Sequence, residues 1–298
     1  MLQIKRWYEM LTGQSVWHVN QDLGKCFSNE DIKGYYNNLT EKVTKIPELL
    51  GNTKLPKLEA NKGDYIDFPV AIFQYGLGAY DLFLMTNDER YMIKFQQCVE
   101  WACLHQDEKG RWNNFFYIFP EHPYGAMAQG EGVSLLIRAY KSTGRKHYLT
   151  VAKKAIDYML QSIEKGGTTH YLKDEILFLE YTHRNAVMNG WIFAWWGLWD
   201  YVIVTKDSKY KEILDKSCDT LVKYLPLFSN SYWSMYDLGG RIASPFYHNL
   251  HVAQMQAMYM LTGRIEFDQY ANKWGGEQKK SIAKLRAFLK KACQKILE

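Results

Sequence analysis

Three tyrosines in this chain sit beside polar partners. Tyr181 follows Glu180 in LEYTHRN, Tyr236 precedes Asp237 in SMYDLGGR, and Tyr247 precedes His248 in PFYHNLH. A phenol next to a carboxylate or an imidazole can take part in proton transfer. It can also hydrogen-bond a sugar hydroxyl while its ring packs against the sugar face. Such neighbours also arise by accident, so the three segments alone leave catalysis and plain structure open. A second set of polar residues recurs near the start of otherwise apolar stretches: Gln74 in DFPVAIFQYGLG, Gln129 in HPYGAMAQGEG, Asn189 in YTHRNAVMNGW, and His251 or Gln254 in PFYHNLHVAQMQ. A buried amide or imidazole costs stability unless it is satisfied. Helix–helix hydrogen bonding would satisfy each one singly, but the set as a whole favours a shared substrate groove.

Other chemistries find less support. His248 and His251 are three residues apart, but no carboxylate completes a zinc-binding spacing, so no metal is expected. There is no GxSxG elbow, no phosphate-binding loop, and no GxGxxG following a strand; QGEG at Gln129 lacks the third glycine. The net charge of +5 permits a polyanionic partner without demanding one. No Lys/Arg block interleaves with aromatics, which argues against nucleic acid. The chain holds 22 Tyr, 14 Phe and 10 Trp. Most of these must fill the core, while some suit a carbohydrate groove. Five cysteines, an odd number without a CxxC pair, read as reduced thiols, and the first residues show no signal-peptide pattern; both point to the cytoplasm. Ala186 to Thr205 is apolar enough to suggest a membrane span, but Asn189, Gly190, Gly197 and Asp200 interrupt it, so a buried helix is expected and no membrane span.

The elements that must position these residues come from an internal repeat. TNDERY, TGRKHY, TKDSKY and TGRIEF begin at Thr86, Thr143, Thr205 and Thr262. Each joins an apolar helix to one opened by an aromatic residue. Gly or Asn after the Thr suits a left-handed helix terminus. Tyr148 to Ile163 carries apolar residues at helical spacing. Helix pairs repeated in this way must stack to bury their faces. Apolar inner helices and amphipathic outer ones predict an all-α fold, an (α/α) toroid, over residues 63–298. Small β-hairpins are expected in the rim loops at 111–119, 169–181 and 231–242. Residues 1–62 read as an N-terminal extension: a helix capped by Ser28 and Asp31 and running to about Ile46, then a connector.

Several of these segments, in order, resemble the D-glucuronyl C5-epimerases. YGAMAQGEGVSLLIRAY resembles that family's MAQG helix, EYTHRNAVMNGW its EEY…VLNG stretch, MYDLGG its IYDLR segment, and FYHNLHVAQMQAM its DYHTTHINQLQLL segment. DFPVAIFQYGLGAYD is similar to FYPIQIAQYGL. The resemblance covers roughly residues 65–275. It implies abstraction of the C5 proton of a glucuronyl residue in a heparosan-like or related glycan and reprotonation from the opposite face, giving an iduronyl residue. It places the catalytic roles on Tyr181, Glu180, Tyr236 and Tyr247. Glu180 or Tyr181 is expected to work one sugar face and Tyr236 the other, with Tyr247 polarising the carboxylate. Substrate contacts are expected from Gln74, Tyr124, Gln129 and Asn189, from Arg184 or Arg241 as the cation, and from His248 and His251. The partner is a uronic-acid-containing oligo- or polysaccharide, and a homodimer is compatible with the sequence. No redox cofactor is expected, because the carboxylate already acidifies C5. The sequence departs from the family pattern in several places: the loop between Tyr236 and Tyr247 is shorter, the Arg after YDL falls two positions later at Arg241, Ser244 replaces an Arg, the Tyr181 to Asn189 spacing is shorter, and residues 1–62 are too short to supply the N-terminal β domain of the family's animal enzymes. Rival readings are a polysaccharide lyase using His248, a glycoside hydrolase using two of Glu131, Glu180 and Asp237, and a glycan-binding protein without activity.

Overall fold

In the computed structural model, which describes residues 18–61 and 63–297, each sequence repeat is one helical hairpin. A short helix α1 (Thr40–Thr44) and a hairpin of β1 (Lys57–Asn61) and β2 (Asp64–Asp67) precede the first one. The hairpins are α2 (Pro69–Thr86) with α3 (Glu89–His105), α4 (Ala126–Thr143) with α5 (His147–Met159), α6 (Met188–Thr205) with α7 (Ser208–Tyr224), and α8 (Pro245–Thr262) with α9 (Ile265–Gln278). A last helix, α10 (Ser281–Leu297), packs on α9 and α8. Helices α2, α4, α6 and α8 form the inner layer in that order, and α2, α4 and α6 are buried around most of their surface. The outer helices bury one stripe each, as their amphipathic sequences require. The architecture is an α/α toroid. No helix among the described residues is long and apolar enough to cross a membrane.

The repeated Thr has one job in all four turns. Its hydroxyl donates to the carbonyl four residues earlier: Thr86 to Leu82, Thr143 to Ala139, Thr205 to Tyr201 and Thr262 to Met258, at 2.7–2.8 Å. The next residue then turns left-handed. At Gly144 and Gly263 glycine makes this easy, while Asn87 and Lys206 adopt φ of 56° and 57° with a side chain in place. Where α4 and α6 cross, Gly130 and Gly197 face each other; a Cβ on Gly197 would stand 2.3 Å from the Gly130 carbonyl oxygen. This close crossing joins the two inner helices that carry Gln129 and Asn189.

The extension differs from the expected helix. Ser28 Oγ accepts from the amides of Glu30 and Asp31 in a turn rather than capping a helix. The following backbone bonds to distant residues instead of to itself. The Gly34 carbonyl accepts from Arg138, and the amides of Tyr35 and Asn38 donate to the Asp81 carboxylate and the Asp22 carbonyl. Tyr35, Tyr36, Leu39 and Val43 lie in the main core, so this segment packs within the ring. Part of the expected connector is strand β1. Of the three expected rim hairpins, β3 (Thr169–Leu172) with β4 (Glu175–Phe178) is regular. Residues 231–242 form isolated bridges. Residues 111–119 form a compact turn, because the Asn114 and Phe115 amides both donate to the Pro123 carbonyl rather than to a partner strand.

Candidate active site

The N-terminal ends of the inner helices open on a cleft of about 240 Å³. Glu180 and Tyr181 reach it from the loop between β4 and α6, and Tyr247 from the first turn of α8, where the Ser244 side chain caps the helix through the Tyr247 amide. The Tyr236 loop is tied to the start of α6 by an antiparallel bridge between Val187 and Asp237 and by the Met188 amide on the Tyr236 carbonyl. Residues from three separate segments thus come together. The Tyr236 and Tyr247 rings meet edge-on with centroids 4.9 Å apart, and Tyr181 stacks on Phe115 at 4.7 Å.

Glu180 is 7% exposed, and its Oε2 is buried without a hydrogen-bond partner. Two glycines make room for it: a Cβ on Gly190 would stand 2.4 Å from Oε2, and one on Gly125 would stand 2.0 Å from the Glu180 carbonyl oxygen. Burial pushes the Glu180 carboxyl up to about 7, against the opposing pull of Tyr181 and Arg241. A carboxyl titrating there is a working base at neutral pH. The three tyrosine rings are half-buried with their phenol ends enclosed, and burial drives all three phenols well above their ordinary range. They therefore remain proton donors. The three phenols and Glu180 lie close enough to shift one another's ionisation, each carboxylate or phenolate charge disfavouring the next.

The other expected site residues divide. Gln74 and Asn189 line the cleft. Gln74 Nε2 donates to Glu131 at 2.6 Å, and Asn189 Oδ1 is buried and unpartnered. Tyr236 does not line the cleft and stands behind Tyr181 and Tyr247, which does not suit direct work on a sugar face. Gln129 is wholly buried and donates to the Trp112 carbonyl. Tyr124 lines a separate recess with His122, Tyr158 and Thr182, under the Arg111 guanidinium. Arg184 is exposed and lies over the Phe119 ring. Arg241 is paired with Asp237, which folds it back on its own loop. His248 and His251 do not face a sugar. Both are fully buried, with Nδ1 atoms on Ser234 Oγ at 2.8 and 2.9 Å, and His248 Nε2 on the Trp274 carbonyl. They hold the 231–242 loop against α9, and burial lowers both imidazoles, His248 to about 4.

Sequence reading missed Lys42, His18, Gln21 and Asn114 on the cleft wall. For Lys42 a signal existed. Leu39, Lys42 and Val43 share one helical face, so the lysine sits where an apolar residue would be expected.

The fold is an α/α toroid, and the N-terminal ends of its inner helices bring a buried carboxyl and phenols to one cleft. The sequence model of the family described as "D-glucuronyl C5-epimerase C-terminus" matches residues 106–276, more than half of the chain. The protein belongs to this family. It is 24% identical over 217 residues to a D-glucuronyl C5-epimerase of Caenorhabditis elegans, a match covering 63% of this chain and 35% of that enzyme. It is 30% identical over 156 residues to an uncharacterized protein of Methanocaldococcus jannaschii, covering 50% of this chain and 51% of the relative. The matched regions thus span about half of one curated relative and about a third of the other. Among solved structures, the unsaturated glucuronyl hydrolase of Streptococcus agalactiae superimposes with a TM-score of 0.51 at 14% identity, covering 84% of this chain and 63% of that one. That of Bacillus sp. GL1 gives 0.50 at 11%, covering 84% and 66%. These two show the shared fold.

Proposed function

We propose that the protein is a C5-epimerase that converts D-glucuronyl to L-iduronyl residues in a heparosan-like or related glycan. The observation that carries this reading is the convergence at one cleft of Glu180, a carboxyl poised near neutrality, with Tyr181 and Tyr247, and with Tyr236 against the Tyr247 ring. Ionised Glu180 takes the C5 proton. The C5–H electron pair moves into the substrate carboxylate, giving an enediolate whose added charge needs donors in place before the reaction begins. The Tyr181 hydroxyl and the Asn189 amide are placed to supply them. Tyr247 returns a proton to C5 from the other face, and its phenolate regains a proton from solvent or from the neighbouring Tyr236. Neutral phenols make good acids here and poor bases, which is why the base role falls to Glu180.

The test is incubation of a glucuronate glycan with the protein in deuterated water, followed by NMR of C5 labelling and measurement of chain length. Label at C5 with intact chains is expected. Tyr181→Phe and Tyr247→Phe should each slow labelling by about 100-fold or more, the usual weight of a positioned acid or base. Both variants labelling at the wild-type rate would remove the assignment. Glu131, a second buried carboxyl pushed up to about 8 and felt by Glu180, supports a second reading as a hydrolase. Chain cleavage without C5 label would carry that reading instead.

A further inference from the structure

We propose that Arg184, on a ring-lined shelf at the rim of the cleft, binds the carboxylate of a second uronic acid in the glycan, outside the reacting sugar. This rests on the C5-epimerase reading for the identity of the chain. The shelf is built from two turns. In the first, the amides of Ile118 and Phe119 donate to the Phe115 carbonyl, and the His122 amide donates to the Phe119 carbonyl. In the second, the Arg184 amide donates to the Tyr181 carbonyl. Together they set five rings in contact. Phe115 stacks on Tyr181 at 4.7 Å, Phe119 lies edge-on to Tyr181 at 5.8 Å and to His183 at 4.8 Å, and His183 stacks on His122 at 4.3 Å. Phe115, Ile118 and Tyr181 line the cleft, so the shelf continues its wall outwards.

Arg184 lies on this surface, with its guanidinium carbon 4.4 Å from the Phe119 ring centroid and 5.5 Å from that of Tyr181. Its Nε donates to His183 Nε2 at 3.1 Å. Burial, with the charges of His122 and Arg184, lowers the His183 imidazole, so at neutral pH that ring is uncharged and accepts this bond. Arg90, Arg111, Arg138, Arg241 and Arg264 each hold an aspartate. Arg184 makes no ion pair among the described residues, and its two terminal nitrogens are left for a ligand. A guanidinium held against rings has lost part of its freedom already and offers two parallel N–H donors to a carboxylate. The rings beside it suit the C–H face of a sugar. Glu121 and Glu164 line the recess beyond the shelf and disfavour an anion there, which keeps the carboxylate at Arg184. Arg184 is exposed and does not line the cleft, where C5 must meet Glu180. A chain lying across the rim therefore meets Arg184 with a sugar other than the reacting one.

The test compares two oligosaccharides of equal length. One carries a single central glucuronate among neutral sugars, and the other carries a further glucuronate on each side of it. Both are titrated against wild type, Arg184→Gln and Arg184→Lys. The number of binding registers is the same for every protein, so the change of preference between variants isolates the contact. Wild type should prefer the oligosaccharide with several glucuronates, and Arg184→Gln should reduce that preference about fivefold, the weight of a well-placed exposed ion pair. Arg184→Lys should reduce it less, and added salt should shrink the difference between wild type and Arg184→Gln. Wild type binding the two equally, or binding neither, would overturn the proposal. So would an undiminished preference in Arg184→Gln. A loss of affinity in Arg184→Gln that is the same for both oligosaccharides would overturn it too, because Arg184 would then hold the carboxylate of the reacting sugar itself. If the preference falls as expected and yet wild type never labels C5 in deuterated water, the epimerase reading fails while the Arg184 assignment stands.

Discussion

Replacing Glu180 with Gln should make the protein more stable and inactive together, and the gain should depend on pH. Glu180 titrates at about 7 in the fold, against 4.5 in its absence. The native carboxyl therefore holds its proton more tightly than the unfolded chain does. Stability is highest at low pH, falls as pH rises from about 4.5 towards 7, and levels off above that. The difference is roughly two and a half pH units at ~1.4 kcal/mol each, or about 3 kcal/mol of ionisation cost carried by the folded state at pH 8. Gln keeps the shape and carries no charge. For a chain of this length, ~2 °C per kcal/mol converts the relief into a Tm higher by about 6 °C at pH 8 and nearly unchanged at pH 4. Thermal unfolding of wild type and Glu180→Gln at both pH values, paired with the deuterium exchange assay, measures both effects. A variant equally or less stable at pH 8, or one that still exchanges C5, would refute the reasoning, because then Glu180 is neither strained by its charge nor needed as the base.

Further expectations follow from the same geometry. The exchange rate at saturating substrate should rise tenfold per pH unit below about 7 and then level off, because Glu180 must be ionised; the groups acting on it are Arg241, Tyr181, Tyr236, Tyr247 and Glu131. A pH–rate profile checks this, and a flat profile between pH 5 and 8 would contradict it. Gly197→Ala should destabilise the protein by about 3 kcal/mol, because its Cβ would fall 2.3–2.6 Å from the backbone of Gly130 and force α4 and α6 apart. Urea unfolding would show this, and a variant of wild-type stability would mean the crossing is looser than described.

The ring was legible because its signal is local. Each Thr bonds within its own turn, so four copies of one turn appear as four copies of one sequence pattern. The tyrosines at the site were legible as motifs, though not their depth: Tyr236 and Tyr247 look alike in sequence, and only packing puts one behind the other. The histidines misled because a buried imidazole bonded to Ser234 and one aimed at a sugar have the same neighbours along the chain. The extension was illegible for a stronger reason. The Gly34 carbonyl and the amides of Tyr35 and Asn38 bond to residues 104, 46 and 16 positions away, and no window along the sequence contains both partners.

The two ends of the inner helices solve the problem of buried polarity in opposite ways. Towards the C-terminal ends, Arg138 and Asp200 form a fully buried ion pair. Tyr36 donates to the same carboxylate, and Arg138 also donates to the carbonyls of Gly34 and Ser134. A buried pair is tolerable only when most of its remaining hydrogen bonds are made, and here a segment from outside the repeats supplies two of them, Tyr36 and the Gly34 carbonyl, while Arg138 Nε is left without a partner. Towards the N-terminal ends, at similar burial, Glu180 Oε2, Glu131 Oε2, Asn189 Oδ1 and Gln129 Oε1 have no partner. Of these four, Glu180 Oε2 and Asn189 Oδ1 belong to residues on the cleft wall, and both accept hydrogen bonds when Glu180 is ionised. In the proposed complex the hydroxyls of the sugar are the donors that would match them, while its carboxylate, itself only an acceptor, would be turned away from them towards the phenols.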